Sequence, residues 1–373
     1  MTDPVPVRAG EESYLPLVRP SLPPLDRYRE RLEDVWSSRM LSNFATQVAR
    51  LEAMARESFG VPDVLAVSSC DVGLVLAVRA LEVPVGSEAI LPSFTFNSTA
   101  HAVLWNGLRP RFVDVDPRTY ALDPRRVAAE ITPETGIVVA THVFGAAADV
   151  DALSRVAREH RVPLLFDAAH AIGTRVDDRH VVAFGDASVI SLSGTKSVTT
   201  GEGGLAVFAD PAIAERFRYL RAYGFQGDYT SRYVGLNGKL SELHAALGCL
   251  TFPELEREVQ RRHALARRYR ELLADAGVGF QPTASMRGSA ATYFAVELAR
   301  RDYVAGRLAA ARIEAKPYFR PLHRMPLFAG HAPEPLPETE RLADHVLCLP
   351  LYADLREHEL ERVAAIVREG VAA

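Results

Sequence analysis

Lysine is nearly absent from this 373-residue chain. Only Lys196, Lys239 and Lys316 are lysines among 43 basic residues; the rest are arginine. An arginine cannot lose its proton in practice, whereas a lysine can act as a nucleophile. Any chemistry that needs an amine must therefore use one of three side chains. Cysteine is scarce too. Cys70, Cys249 and Cys348 are too few for a disulfide framework and match no zinc spacing. A basic excess is missing: 43 Lys+Arg against 47 Asp+Glu leaves a net charge of −4, which argues against a nucleic-acid partner. No apolar run approaches the length of a membrane span, and Met1–Pro20 shows no apolar signal-peptide core. Hydrophobic residues at 48% and charged residues at 24% fit a globular chain. A soluble, reduced, cytoplasmic protein is expected.

Several catalytic motifs are also missing. Ser193-Gly194-Thr195-Lys196-Ser197 lacks the upstream glycine and the Gly-Lys order of a phosphate loop. No G-x-G-x-x-G follows a strand. His358-Glu359 opens like a zinc-protease helix, but Arg362 stands where the second histidine belongs.

The chain opens with an irregular, proline-rich arm over residues 1–23. A helix is expected from Leu25 to Trp36. Short apolar strands then alternate with helical segments: strands at 64–67, 88–91, 111–115, 137–143, 163–167, 187–192 and 205–208, helices at 72–81, 98–105 and 150–160. That alternation predicts an α/β fold with a mostly parallel central sheet flanked by helices. Residues 241–276 read as helix interrupted near Pro253, 291–298 as a strand, 303–312 and the stretch from Glu357 as helices. Residues 317–337 read as a long loop. The expected organisation is a large domain over 24–250 and a smaller α+β domain over 251–373.

Leu164–Asp167 is an apolar strand ending in a carboxylate, followed by Ala168-Ala169-His170. Ligand chemistry in α/β folds gathers at the carboxyl ends of parallel strands; a plain helix cap is the alternative for Asp167. Lys196 lies in a run of small hydroxyl residues, where the alternative is a surface loop lysine. Together these suggest a pyridoxal-phosphate site. That cofactor needs a lysine amine for its Schiff base, an acid beside the pyridine nitrogen, and donors around a phosphate. Lys196, Asp167, Ser191 and the turn Ser69-Cys70-Asp71 can supply them. Phe96 can cover the flat ring, unless it is a core aromatic.

Motifs spread over residues 20–370 sharpen this reading. Asn43-Phe44 with Val48-x-x-Leu51-Glu52, Pro92-Ser93-Phe94-Thr95-Phe96, Phe112–Pro117, His142–Gly145, Asp149–Asp151, Asp167–Ala171, Lys196, Glu202-Gly203-Gly204 and Gly235-Leu236-Asn237 occur in one order. In that order they resemble the DegT/DnrJ/EryC1/StrS family of sugar aminotransferases, of aminotransferase fold type I. The resemblance implies that Lys196 is the Schiff-base lysine and proton shuttle, and that Asp167 pairs with the pyridine nitrogen. It implies His170 near the cofactor's phenolic oxygen, Phe96 stacked on the ring, and Ser191 on the phosphate. Asn237 would reach the phosphate of a partner subunit, so a homodimer with shared sites is implied. Lys239 stands where many members have arginine. Tyr318 and the Pro321-Leu322-His323 loop would face the substrate. The implied reaction moves an amino group, from glutamate, to the keto carbon of a nucleotide-linked keto-deoxy sugar. A keto-cyclitol acceptor, a sugar-dehydrating branch that carries histidine instead of Lys196, and a non-catalytic cofactor-binding scaffold are the alternatives.

One departure stands out. The family's Ser-Gly-Thr turn is Ser69-Cys70-Asp71 here, which sets a carboxylate where a threonine hydroxyl would serve the phosphate. The expectation is that Asp71 turns aside and caps the following helix.

Borohydride reduction of the cofactor-loaded protein, with peptide mapping, should label Lys196. A label on Lys239 or Lys316 would contradict the assignment.

Overall fold

A computed structural model describes residues 14–227, 229–282 and 288–373. The first thirteen residues of the expected arm, with Pro4 and Pro6, lie outside the described residues. Helices α1 (Leu25–Ser38) and α2 (Thr46–Phe59) precede the first strand. Then come β1 (Leu65–Val67), α3 (Cys70–Ala80), β2 (Glu88–Pro92), α4 (Asn97–Trp105), β3 (Arg109–Val113), α5 (Pro124–Glu130), β4 (Thr135–Thr141), α6 (Val150–His160) and β5 (Leu164–Asp167). A small hairpin, β6 (Arg175–Val176) and β7 (Arg179–His180), leads to β8 (Ala187–Ser191), β9 (Gly204–Phe208) and α7 (Pro211–Leu220).

These strands form one seven-stranded sheet in the order β1-β9-β8-β5-β4-β2-β3. Only β9 runs antiparallel to its neighbours. The sheet is thus mostly parallel, as the alternation of elements predicts. Its strands are buried along nearly their whole length, because helices cover both faces. Leu74, Ala77, Leu91, Val139, Leu165 and Val189 fill one face. Ile90, Val138, Ala140, Leu164 and Phe166 fill the other side with α6.

Helices α8 (Glu242–Thr251) and α9 (Leu255–Leu273) follow, separated by a single 3-10 turn at Phe252–Glu254. Residue 251, where the domain boundary is expected, is the last of α8. Strands β10 (Gly279–Phe280), β11 (Phe294–Glu297) and β12 (Val346–Leu349) make a three-stranded antiparallel sheet. Helices α10 (Arg301–Ala310) and α12 (Glu357–Ala372) pack there, while α11 (Pro337–His345) leads into β12. Tyr269, Phe294, Val296, Leu308, Leu347 and Val363 form this second core. The expected loop at 317–337 holds two 3-10 turns, Leu322–Arg324 and Pro326–Phe328, and ends as α11 begins.

The described part of the expected arm is pinned to the body of the protein. Leu15 bridges to Ile313, Leu17 donates its N–H to Glu314 Oε2 at 2.9 Å, and Leu351 N–H donates to Leu17 O at 3.1 Å. Both leucines are buried. Among the described residues no helix is long and apolar enough to cross a membrane.

Helix α9 belongs to both cores. Leu255 and Val259 pack under the large sheet, and Leu265, Tyr269 and Leu273 pack in the second core. Between them sits Arg262, 1% exposed. Its Nη1 donates to Thr292 O at 3.2 Å and Leu351 O at 3.1 Å, and Nε lies 3.7 Å from Glu258 Oε2. Removing the arginine would strand two carbonyls and a buried carboxylate. Arg262→Met should therefore cost about 3–5 kcal/mol in denaturant unfolding, and the double change Arg262→Met/Glu258→Leu should cost less. Equal losses would show that the charge pair contributes nothing.

Candidate active site

The carboxyl ends of the parallel strands converge on one cavity of about 270 Å³. Strand β1 delivers Ser69, Cys70 and Asp71, the turn after β2 delivers Phe96, β5 ends on Asp167, and β8 ends on Ser191. The β8–β9 loop adds Ser193, Thr195, Lys196 and Glu202. The chain beyond α9 closes the far wall with Tyr293, Glu314, Lys316, Tyr318 and Phe319, and Leu17 and Val18 complete it.

Lys196 rides on a loop tied at both ends. Leu192 N–H donates to Gly203 O, Thr200 N–H to Leu192 O, and Lys196 N–H to Ser193 O at 3.0 Å. This holds the lysine 8% exposed, with Nζ 5.6 Å from the centre of the Tyr293 ring. No ion pair with Lys196 forms among the described residues. Burial pushes its pKa down from 10.5 to about 8, against the opposing pull of Cys70 and Asp167. The surface-loop alternative is thereby excluded.

Asp167 is 3% exposed. Its Oδ2 accepts from Thr99 Oγ1 at 2.6 Å and its Oδ1 from Ala169 N–H at 3.1 Å. No helix begins at Ala168, so Asp167 is not a helix cap. Burial raises its pKa, and the Thr99 and Ala169 donors hold the rise back. Thr99 is a positioning residue that no motif announced. Its hydroxyl meets Thr95 Oγ1 at 2.9 Å, which meets Thr141 Oγ1 at 3.0 Å, so a row of buried hydroxyls leads to the carboxylate.

His170 stacks on Phe319, with ring centres 5.9 Å apart, and its edge meets Tyr293 at 4.8 Å. Its Nδ1 is buried without a hydrogen-bond partner. Burial, then the nearby Lys196, hold its pKa well below the ordinary value, so the ring is neutral. Ser191 Oγ lies 3.3 Å from Ser193 Oγ. Phe96 is 57% exposed, not a core aromatic, and faces the cavity. Cys70 is a buried free thiol whose pKa burial pushes well up.

The Asp71 expectation needs correcting. The residue that caps α3 is Ser69, whose Oγ accepts from Val72 N–H at 3.1 Å. Asp71 lies inside the first turn, exposed, on the cavity wall. Two other expected residues lie off this cavity. Asn237 is exposed on the loop between α7 and α8, where it bridges to Ala222. The His323 ring is held by Ser93 Oγ at 2.7 Å and Glu340 Oε1 at 3.2 Å. Tyr318 does line the wall. Tyr293, Phe319 and Glu314 carried no sequence signal, because they come from beyond α9 and meet the others only in space.

The donor set fits pyridoxal phosphate. A buried amine of lowered pKa, a buried carboxyl, an unpartnered His170 Nδ1, two serine hydroxyls and the first-turn amides of α3 share one cavity. No group of three or more His, Cys, Asp or Glu among the described residues could hold a metal ion.

The model of the DegT/DnrJ/EryC1/StrS aminotransferase family matches residues 26–368. The chain belongs to this family. It is 32% identical to a dTDP-4-amino-4,6-dideoxy-D-glucose transaminase of Shigella dysenteriae, over 95% of this chain and 98% of that protein. The aminotransferase TlmJ from Streptoalloteichus hindustanus superposes with a TM-score of 0.91 at 32% identity, covering 96% and 99% of the two chains. DesI, crystallised in the presence of its TDP-sugar product, superposes with a TM-score of 0.90 at 36% identity, covering 95% and 92%. The fold, the aminotransferase class and the pyridoxal-phosphate cofactor expected from the motifs are those of the family.

A protonated amine is not nucleophilic. In cofactor-free protein, acylation of Lys196 should therefore rise with pH through a midpoint near 8. Lys316 should lag: burial lowers its pKa, but Glu314, Tyr318 and Tyr14 together raise it above the ordinary value. Peptide mass mapping across pH 6–11 (about the range that spans both groups) checks this. Parallel curves for the two lysines would contradict it.

Proposed function

We propose that this enzyme takes an amino group from an amino acid, glutamate first, and delivers it to the keto carbon of a nucleotide-linked keto-deoxy sugar in amino-sugar or secondary-metabolite biosynthesis. The observation that carries the reading is Lys196 and Asp167 buried together in one cavity at the strand ends. The substrate class is supported by the transaminase of Shigella dysenteriae and by DesI with its TDP-sugar product.

When bound, pyridoxal phosphate supplies an electron sink for the carbon that loses a proton. Asp167 would hold a proton at the ring nitrogen. Two donors, Thr99 Oγ1 and Ala169 N–H, fix its carboxylate in place. Lys196 Nζ carries protons to and from the reacting carbon. With a pKa of about 8, it can both accept and release a proton near neutrality. His170, neutral and wedged by Phe319, presents Nδ1 to the ligand without adding charge. Phe96, on the cavity wall, would cover the ring. Ser69, Cys70, Asp71 and Ser191 would hold the phosphate, and Tyr318 would face the sugar from beyond α9, with His323 on the adjoining loop.

The working unit is a homodimer in the cytoplasm. Asn237 lies exposed and off its own cavity, which suits a residue that completes the partner's site. Domains divide at residue 251, with the substrate bound between them.

The purified protein should show a visible cofactor band that bleaches with glutamate and recovers with a keto-sugar nucleotide. Asp167→Asn keeps the shape but removes the charge, and should lower kcat by about 100-fold or more with the fold intact. Unchanged turnover in Asp167→Asn, or a band indifferent to every amino donor, would refute the reading.

A further inference from the structure

We infer that Asp71 places an unpaired negative charge on the phosphate side of the cavity, and that this charge loosens the enzyme's hold on pyridoxal phosphate. The inference rests on the aminotransferase reading above and concerns how tightly that site keeps its cofactor.

The first turn of α3 has its cap without Asp71. Ser69 Oγ accepts from Val72 N–H, and Ser69 O accepts from Gly73 N–H at 3.0 Å. The amides of Cys70 and Asp71 precede the first helical partner, so they are free to serve an anion. The hydroxyls of Ser191 and Ser193 line the same cavity. A dianionic phosphate fits these donors. On the other side, the buried and unpartnered His170 Nδ1 independently marks a polar ligand.

The charges around those donors are unusual. Asp71 is exposed on the cavity wall, and among the described residues its carboxylate accepts no hydrogen bond and forms no ion pair. Asp167, Glu202 and Glu314 are the other carboxylates of the lining. The chain is rich in arginine, yet none lines this cavity. The basic side chains that do are Lys196, which serves the chemistry, and Lys316, which is paired with Glu314 at 2.9 Å. Among the described residues of one protomer, no basic side chain lining the cavity is left over to offset Asp71. A carboxylate and a phosphate of like charge repel, and a neighbouring donor set only partly screens them. The cofactor is consequently exchangeable, and the occupancy of the site follows the supply of free pyridoxal phosphate.

The test is cofactor affinity, read by absorbance titration of the full-length protein after its cofactor has been removed. Asp71→Asn and Asp71→Thr should each bind pyridoxal phosphate about three- to tenfold more tightly than the unaltered chain, a modest gain because Asp71 is solvated. Pyridoxal, which has no phosphate, should bind all three proteins alike. Inorganic phosphate should compete better in the variants. Equal pyridoxal-phosphate affinity in the three proteins, weaker binding in the variants, or the same gain with pyridoxal would overturn the inference and leave the aminotransferase reading standing. Failure of all three to bind pyridoxal phosphate would remove both.

Discussion

Keeping an amine and a carboxyl out of water in one small cavity is the constraint on which this structure turns. Each charge loses hydration there, and the two are not joined as an ion pair that would offset the loss. The result is a lysine that gives up its proton easily and a carboxyl whose proton is held more firmly than in water. Both shifts suit a site that must move protons. They also require a rigid surround, because a mobile loop would let water in and return the groups to ordinary behaviour. The short, tied loop carrying Lys196 and the hydroxyl row behind Asp167 provide that rigidity.

The large sheet sets one half of the cavity and the chain beyond α9 sets the other. Parallel strands all end on the same edge, so side chains distant in sequence meet there without any long-range search. The aromatic wall of Phe144, Phe319, Tyr293 and His170 then joins the two halves. Helix α9 fastens them from behind through Arg262, whose bonds reach the chain just before β11 and just after β12. The arginine also bears on the chemistry, since its charge helps to lower the Lys196 pKa.

Much of this was legible in the sequence. The apolar runs of β2, β4, β5 and β8 announced a buried parallel sheet, and helix α6 appeared with the ends expected of it. The scarcity of lysine narrowed the reactive amine to three candidates before any fold was known. What was missed has physical reasons. The stripe Val48, Leu51, Ala55 and Phe59 of α2 is helical in period but lies among polar residues, and it passed as motif rather than helix. Strands β3 and β4 start two residues earlier than expected, because backbone pairing admits polar residues that an apolar signal overlooks. Thr99 was invisible because a buried threonine in an apolar helix looks like packing. The role of Asp71 was misjudged because either Ser69 or Asp71 could cap α3, and only the backbone at Ser69, extended before the helix, decides between them.

The stapled stretch at Leu15–Val18 has a practical meaning for anyone handling this protein. A proline-rich leader invites trimming, and residues 1–23 look dispensable on paper. Yet Leu17 and Val18 are part of the cavity wall, and Glu314 holds that stretch on the same segment that presents Lys316 and Tyr318. A shortened version that begins after Val18 would lose two lining residues and release Glu314 from its backbone donor. Any shortening should therefore leave Leu15–Val18 in place.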